Sequence, residues 1–394
     1  MNQTARSERY HIGIYGRRNA GKSSLINALA GQEVSIVSDI AGTTTDTVWK
    51  NIELPGIGAA VLADTAGYDD CGTLGEKRVN SARQSTERID LALLLLDGSS
   101  DDATYEKEWL QRFEVLNIPV ICLLRKIDTL SGDDLKRWVE LLHREILPIS
   151  SLTGAGIDTL LCRMAAIYKS GDNISDITHR LANNGDTVVL VMPQDSQAPQ
   201  GRLIQPQVQT LRNLLDKQCL AMCCTPEKLP TMLSSLATPP ALIITDSQVF
   251  PEVEKLAPRE SKLTSFSILM ARHKGDIEEF RKGAEALLNL PADGHILIAE
   301  ACSHIPQNED IGRVKLPRLL RKKLGEAIKI EIVSGNDFPD DLSPYDIIIH
   351  CGACMFTRRH VLSRVRMAKT QNIPITNYGI AIAALTGILN KVEI

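Results

Sequence analysis

The chain has 394 residues, 43% of them hydrophobic and 23% charged, with a formal net charge of −4. That length exceeds one hydrophobic core and sets an expectation of two or three domains. The slight acidity argues against a general nucleic-acid binder, which carries a basic footprint. No run approaches about 18 uninterrupted apolar residues, which argues against a membrane-spanning helix.

The opening stretch MNQTARSERYHIGIYG holds no apolar signal core, so a cytoplasmic protein is expected. In that compartment the nine cysteines read as buried, metal-binding or catalytic rather than disulfide-bonded.

The first element is a short apolar strand, HIGIYG, running into RRNAGKSS and a helix start. Gly16 to Ser23 fits G-x-x-x-x-G-K-[ST]. Glycines let backbone N–H groups wrap phosphate oxygens, and the helix N-terminus adds positive potential. Lys22 is expected at the β- and γ-phosphates, and the Ser23 hydroxyl on Mg²⁺. Gly16, Asn19, Gly21, Lys22, Ser23 and Ser24 form the expected phosphate-binding set.

Next, SDIAGTTTDTV places Thr43, Thr44 and Thr45 in a polar segment, where a threonine can ligate Mg²⁺ and sense the γ-phosphate. The strand AAVLADTAG ends in Asp64, expected to hold Mg²⁺ through water, and Gly67, whose N–H would bind the γ-phosphate and release it after hydrolysis. LALLLL and PVICLL read as fully buried strands of a parallel sheet.

Residues 8–170 thus resemble the translation-factor-like branch of small GTPases, the group that includes Era and the tRNA-modification GTPases. The resemblance implies GTP and GDP as ligands, with Lys22, Thr44 and Gly67 as the hydrolytic set and Thr44 as the switch threonine. It also implies a K⁺ ligand at Asn19. Tyr68 follows Gly67 where a water-positioning glutamine is usual, so slow hydrolysis, assisted by K⁺ or self-association, is expected. The family's base-reading N-K-x-D appears here as Arg125-Lys126-Ile127-Asp128. Asp128 keeps the acceptor for the guanine edge and Lys126 can lie along the ring. Arg125 replaces an asparagine that braces the loop and touches the base. Ser150 and Ser151 in PISSLTGAG would lie near the base.

After Lys169 the chain turns polar and reads as a linker. TVVLV and ALIIT read as strands, and QVQTLRNLLDKQCLAMCCTPEKL as helices split near Pro226. This unit is small for independent stability, and a homodimer would bury its apolar surface. In the expected helix Cys219 and Cys223 lie at i and i+4. With Cys224 they could hold metal or pair across a dimer, but free cysteines more often pack as small hydrophobes. Cys122 and Cys162 also read as packing residues.

From about residue 262, strands alternate with helices, as in a parallel α/β sheet. The reading takes LTSFSILMAR, HILIA, AIKIEIV, DIII and IPIT as strands. Cys302 and His304 follow HILIA; His350, Cys351 and Cys354 follow DIII. Ligands in such sheets bind beyond the strand C-termini, so one crevice can hold all five residues. The pattern is C-x-H, 45 residues, then H-C-x-x-C. It suits a soft metal: Zn²⁺ with four N or S ligands, or a [4Fe–4S] cluster with three cysteines and one replaceable position. H-C-x-x-C alone also fits core packing or a redox dithiol.

A GTPase, a short connector and C-x-H…H-C-x-x-C in a C-terminal α/β domain together resemble the [FeFe]-hydrogenase maturation GTPases over essentially the whole chain. The resemblance implies a GTP-binding domain at 1–172, a dimerisation domain at 173–260 and an iron–sulfur domain at 261–394. It implies that Cys302, Cys351 and Cys354 ligate a [4Fe–4S] cluster, with His304 and His350 as further metal-ligand positions. It implies a scaffold for a transient two-iron subcluster, two radical-SAM maturases as partners, and delivery to apo [FeFe]-hydrogenase. The alternative is an RNA-modification or ribosome-assembly GTPase with a zinc-binding C-terminal domain.

Overall fold

The computed structural model describes residues 6–31, 47–67, 72–98, 100, 102–125, 132–170, 176–194, 201, 203–301, 311–335, 337–353 and 356–393. Two compact units divide the chain, Met1–Asn173 and Ile174–Ile394.

The first unit is built on six strands: β1 (Tyr10–Gly16), β2 (Val48–Leu54), β3 (Gly58–Asp64), β4 (Leu91–Leu96), β5 (Val120–Arg125) and β6 (Ile146–Ile149). Their order is β2-β3-β1-β4-β5-β6, with only β2 antiparallel to its neighbour. β4, LALLLL, is buried at all six positions. That follows from helices on both faces, which leave no solvated side. Ile12, Ile14, Leu25 and Ile26 fill one face. Tyr15, Trp109, Phe113 and Trp138 fill the other. The register sets Ile14 beside Asp64 and Gly16 beside Leu95, so the ends of β1, β3 and β4 share one edge. Cys122 is buried there as expected, whereas Cys162 lies exposed on the helix Ile157–Ser170.

The second unit holds two four-stranded parallel sheets. One contains β7 (Thr187–Val191), β8 (Leu220–Cys224), β9 (Leu242–Thr245) and β10 (Lys262–Ser265), in the order β10-β9-β7-β8. The other contains β11 (His295–Glu300), β12 (Lys329–Ser334), β13 (Ile347–His350) and β14 (Ile375–Asn377), in the order β12-β11-β13-β14. Val189 and Ile243 of the first sheet share one core with Leu297 and Ile348 of the second. The helix Phe266–Lys274 is buried at six of its nine positions, as befits a helix packed on several sides.

Two sequence expectations are corrected here. LTSFSILMAR is not a strand opening the C-terminal sheet. Only Lys262–Ser265 is extended, and it pairs with β9 in the middle sheet. Ser265 then caps a helix, its Oγ accepting from the Ile268 N–H at 3.3 Å. A short apolar run does not by itself separate helix from strand. Likewise Cys223 and Cys224 lie in a strand, not a helix. The helix ends at Asp216, Gln218 turns the chain with φ 58°, and β8 follows as the sheet edge. Cys219 is buried and Cys223 exposed, so no i, i+4 pair forms. Burial pushes the Cys224 thiol up to about 11, with the adjacent Cys223 adding to it, so it stays protonated at neutral pH.

Candidate functional site

The phosphate loop leaves β1 at Gly16 and enters the helix Lys22–Ala30. Asn19 has φ 60° and Gly21 φ 81°, both left-handed. Gly21 is required twice, since a Cβ there would also lie 2.7 Å from Arg125 Nη1. The Lys22 side chain is buried, with Nζ donating to the Gly16 and Arg17 carbonyl oxygens at 2.9 Å each. Ser23 Oγ donates to Asp64 Oδ2 at 3.0 Å, so the two expected Mg²⁺ ligands meet although 41 residues separate them. Thr65 Oγ1, donating to the Ile14 carbonyl at 2.6 Å, pins the segment leading to the buried Gly67. Ser24 is exposed on the helix. Ser150 is buried, its Oγ accepting from the Thr153 N–H at 3.2 Å, and Ser151 is half-buried beside it. Thr43, Thr44, Thr45, Tyr68, Lys126 and Asp128 lie outside the described residues.

Sequence reasoning missed a tether on this loop. Arg17 Nε pairs with Glu106 Oε1 at 2.8 Å, and Glu106 is fully buried. Arg17→Ala would take the guanidinium away from that buried carboxylate, and we expect a loss of about 3 kcal/mol, read as a lower thermal midpoint of the full chain. The loop motif constrains glycine, lysine and serine; nothing in it marks Arg17, whose partner lies 89 residues on.

The second constellation sits at the C-terminal ends of β11 and β13. Cys351 follows β13, half-buried, with its N–H continuing the ladder to the Ala299 carbonyl at 2.9 Å. Its Sγ accepts two backbone hydrogen bonds, from the Ala301 N–H at 3.0 Å and the Ala353 N–H at 3.4 Å. A neutral thiol is a weak acceptor; two amides aimed at one sulfur suit a thiolate or a metal-bound sulfur. Ala301 and Ala353 are the residues immediately before Cys302 and Cys354 in sequence. Cys302, His304 and Cys354 themselves lie outside the described residues. Among the described residues no group of three His, Cys, Asp or Glu side chains is placed to hold a metal.

His350 is fully buried, and both ring nitrogens are engaged. Nδ1 lies 2.9 Å from the Cys351 carbonyl and Nε2 lies 3.0 Å from Arg364 Nη1. The guanidinium can only donate, so Nε2 accepts and Nδ1 carries the proton. Burial first, then the Arg364 charge, hold its pKa down at about 3, so the ring is neutral. Arg364 is buried between Phe338 and Phe356, 4.6 and 4.7 Å from their ring centres, and also donates to the Gly335 carbonyl. One side chain therefore ties the ends of β12 and β13 to the loop around Phe356. Lys274 Nζ holds the Phe356 carbonyl at 2.9 Å. Between those two strand ends Glu300, ending β11, pairs with Arg313 at 2.9 Å, in a π-helical turn at Ile311–Lys315.

Known proteins match this chain in three spans. The family model described as "Hydrogen maturase F dimerization domain" matches residues 177–275. That described as "Hydrogen maturase F tetramerization domain" matches residues 278–393. The chain belongs to the hydrogen maturase F family. The third model, "50S ribosome-binding GTPase", matches residues 11–126. The N-terminal unit is thus a P-loop GTPase domain with guanine nucleotide and Mg²⁺ as ligands, and the hydrogen maturase F assignment comes from the second unit. The fold is mixed α/β throughout, as expected, and the family's dimerization and tetramerization domains mark an oligomer-forming chain. Tetramerization was not foreseen from the sequence.

Among curated relatives, a tRNA modification GTPase MnmE of Chromobacterium violaceum is 37% identical over 158 residues, 40% of this chain and 34% of that protein. GTPase Era of Aquifex aeolicus is 32% identical over 188 residues, 43% of this chain and 62% of that protein. The chain therefore spans about a third to three fifths of these relatives' lengths. A crystal structure of Era with MgGDPNP and a 16S ribosomal RNA segment is 22% identical with a TM-score of 0.35, covering 55% of this chain and 92% of that one. No helix among the described residues is long and apolar enough to cross a membrane.

Proposed function

We propose that this hydrogen maturase F family chain is a GTPase-coupled iron–sulfur scaffold. It would carry a two-iron subcluster, made with two radical-SAM maturases, to apo [FeFe]-hydrogenase. The observation that supports this most is the Cys351 sulfur, receiving N–H groups from the residues next to Cys302 and Cys354. That donor set fits a [4Fe–4S] cluster held by Cys302, Cys351 and Cys354. Such a cluster, when bound, supplies iron with one replaceable coordination position. His304 stands as a candidate for that position. His350, with both nitrogens in hydrogen bonds, serves better as the support that sets the Cys351 backbone.

On the GTPase side, Ser23 and Asp64 hold Mg²⁺, Lys22 neutralises the phosphates, and Thr44 and Gly67 report the γ-phosphate. Asn19 takes K⁺, which stimulates an otherwise slow hydrolysis. Nucleotide state alters how a maturase or the hydrogenase docks; it does not itself build the cluster.

The test is transfer. Protein isolated from cells expressing both maturases should activate apo-hydrogenase, and protein from cells lacking them should not. Equal activation from both preparations, or from neither, would contradict a carrier role.

A further inference from the structure

We propose that Arg125 replaces the asparagine of the base-reading motif as the brace of the phosphate loop. This rests on the guanine-nucleotide reading of the first unit and names a positioning residue within it.

Arg125 is the last residue of β5, opposite Ile149 of β6, so its backbone is fixed by the sheet. Its Nη1 donates to the Asn19 carbonyl oxygen at 2.5 Å, across 106 residues of sequence. The guanidinium lies over Gly21: a Cβ there would come within 2.7 Å of Nη1 and 2.8 Å of Cζ. Asn19 and Gly21 are the two left-handed residues of the loop. A non-glycine residue with positive φ stores strain and needs its surroundings to hold it. Arg125 supplies that hold at the Asn19 carbonyl. The same peptide unit's N–H, on Ala20, donates to the Arg17 carbonyl at 3.1 Å, so both of its polar ends are engaged.

The brace joins two parts of one binding site. Lys126 and Asp128, expected to read the base, follow Arg125 by one and three residues. Tying Arg125 to Asn19 sets the end of β5 against the loop that cradles phosphate. A loop held ready for its ligand binds more tightly because less ordering remains to be done. An asparagine amide and a guanidinium both donate N–H, and the longer arginine reaches farther and adds charge.

The experiment measures binding of fluorescent GDP and a GTP analogue to the full chain, with turnover at saturating GTP and the thermal midpoint. Loss of one charge-assisted hydrogen bond in a partly exposed site predicts about tenfold weaker binding of both nucleotides in Arg125→Ala. Turnover at saturating GTP should fall as well, because Arg125 holds the backbone of Asn19, the proposed K⁺ ligand, whereas the thermal midpoint should hold. Arg125→Asn should recover most of the affinity. An Arg125→Ala chain that binds as well as wild type, or tighter, would overturn the brace. So would an Arg125→Asn chain as weak as the alanine variant. A wild-type chain that binds no guanine nucleotide would instead remove the reading on which the brace depends.

Discussion

Lys22→Ala should reduce single-turnover GTP hydrolysis by about a hundred- to thousandfold, the usual effect of removing one preorganised charge from developing phosphate charge. The buried ammonium sits on the Gly16 and Arg17 carbonyls at 2.9 Å. That arrangement keeps a positive charge at the mouth of the loop before any phosphate arrives. On the proposed function, its removal takes away the charge that would meet the β- and γ-phosphates. Nucleotide affinity should fall as well, and circular dichroism should show the sheet intact. A hydrolysis rate within tenfold of wild type would mean that this loop is not the catalytic one.

Arg364→Ala should be the most damaging single change in the second unit. Arg364 is 3% exposed, its guanidinium bonded to His350 Nε2 and the Gly335 carbonyl and lying against two phenyl rings. Truncation opens a cavity and removes the donor from one buried acceptor, His350 Nε2, and one half-buried acceptor, the Gly335 carbonyl. A loss of about 3–5 kcal/mol is expected, comparable to breaking other buried charged networks. For a unit of this size that corresponds to about 6–20 °C in the unfolding transition assigned to the second unit. Arg364→Lys should recover only part, since an ammonium cannot bond two acceptors in a fixed fork. A calorimetric trace unchanged in Arg364→Ala would show that the tie between the strand ends is not needed.

Much of the fold was legible because parallel sheets write themselves as apolar runs. LALLLL, HILIA and DIII are buried strands at the positions their composition implies. The phosphate loop was legible because its chemistry demands particular residues at fixed spacing. The meeting of Ser23 with Asp64 followed from that motif, since both were assigned to one ion. Where the reading failed, the cause was local ambiguity. LTSFSILMAR has the apolarity of a strand and of a buried helix alike, and the Ser265 cap decides between them. Cys219 to Cys224 look helical when appended to the preceding periodic run, but the turn at Gln218 ends that run.

The supporting residues were not legible for another reason. Arg17, Arg125 and Arg364 act on partners 89, 106 and 14 residues away. Each is an ordinary arginine in sequence, and only the fold assigns it a carbonyl, carboxylate or imidazole. His350 shows the converse. Its place beside Cys351 invites a ligand role, but the fold surrounds its two nitrogens with a carbonyl and a guanidinium.

The most direct measurement is metal analysis and EPR of the anaerobically purified, dithionite-reduced protein, wild type beside Cys302→Ala, Cys351→Ala and Cys354→Ala. The scaffold reading predicts about four irons per chain in the wild type, with a reduced [4Fe–4S] signal that is lost or altered in each variant. Stoichiometric zinc without iron, persisting after iron and sulfide reconstitution, would contradict it.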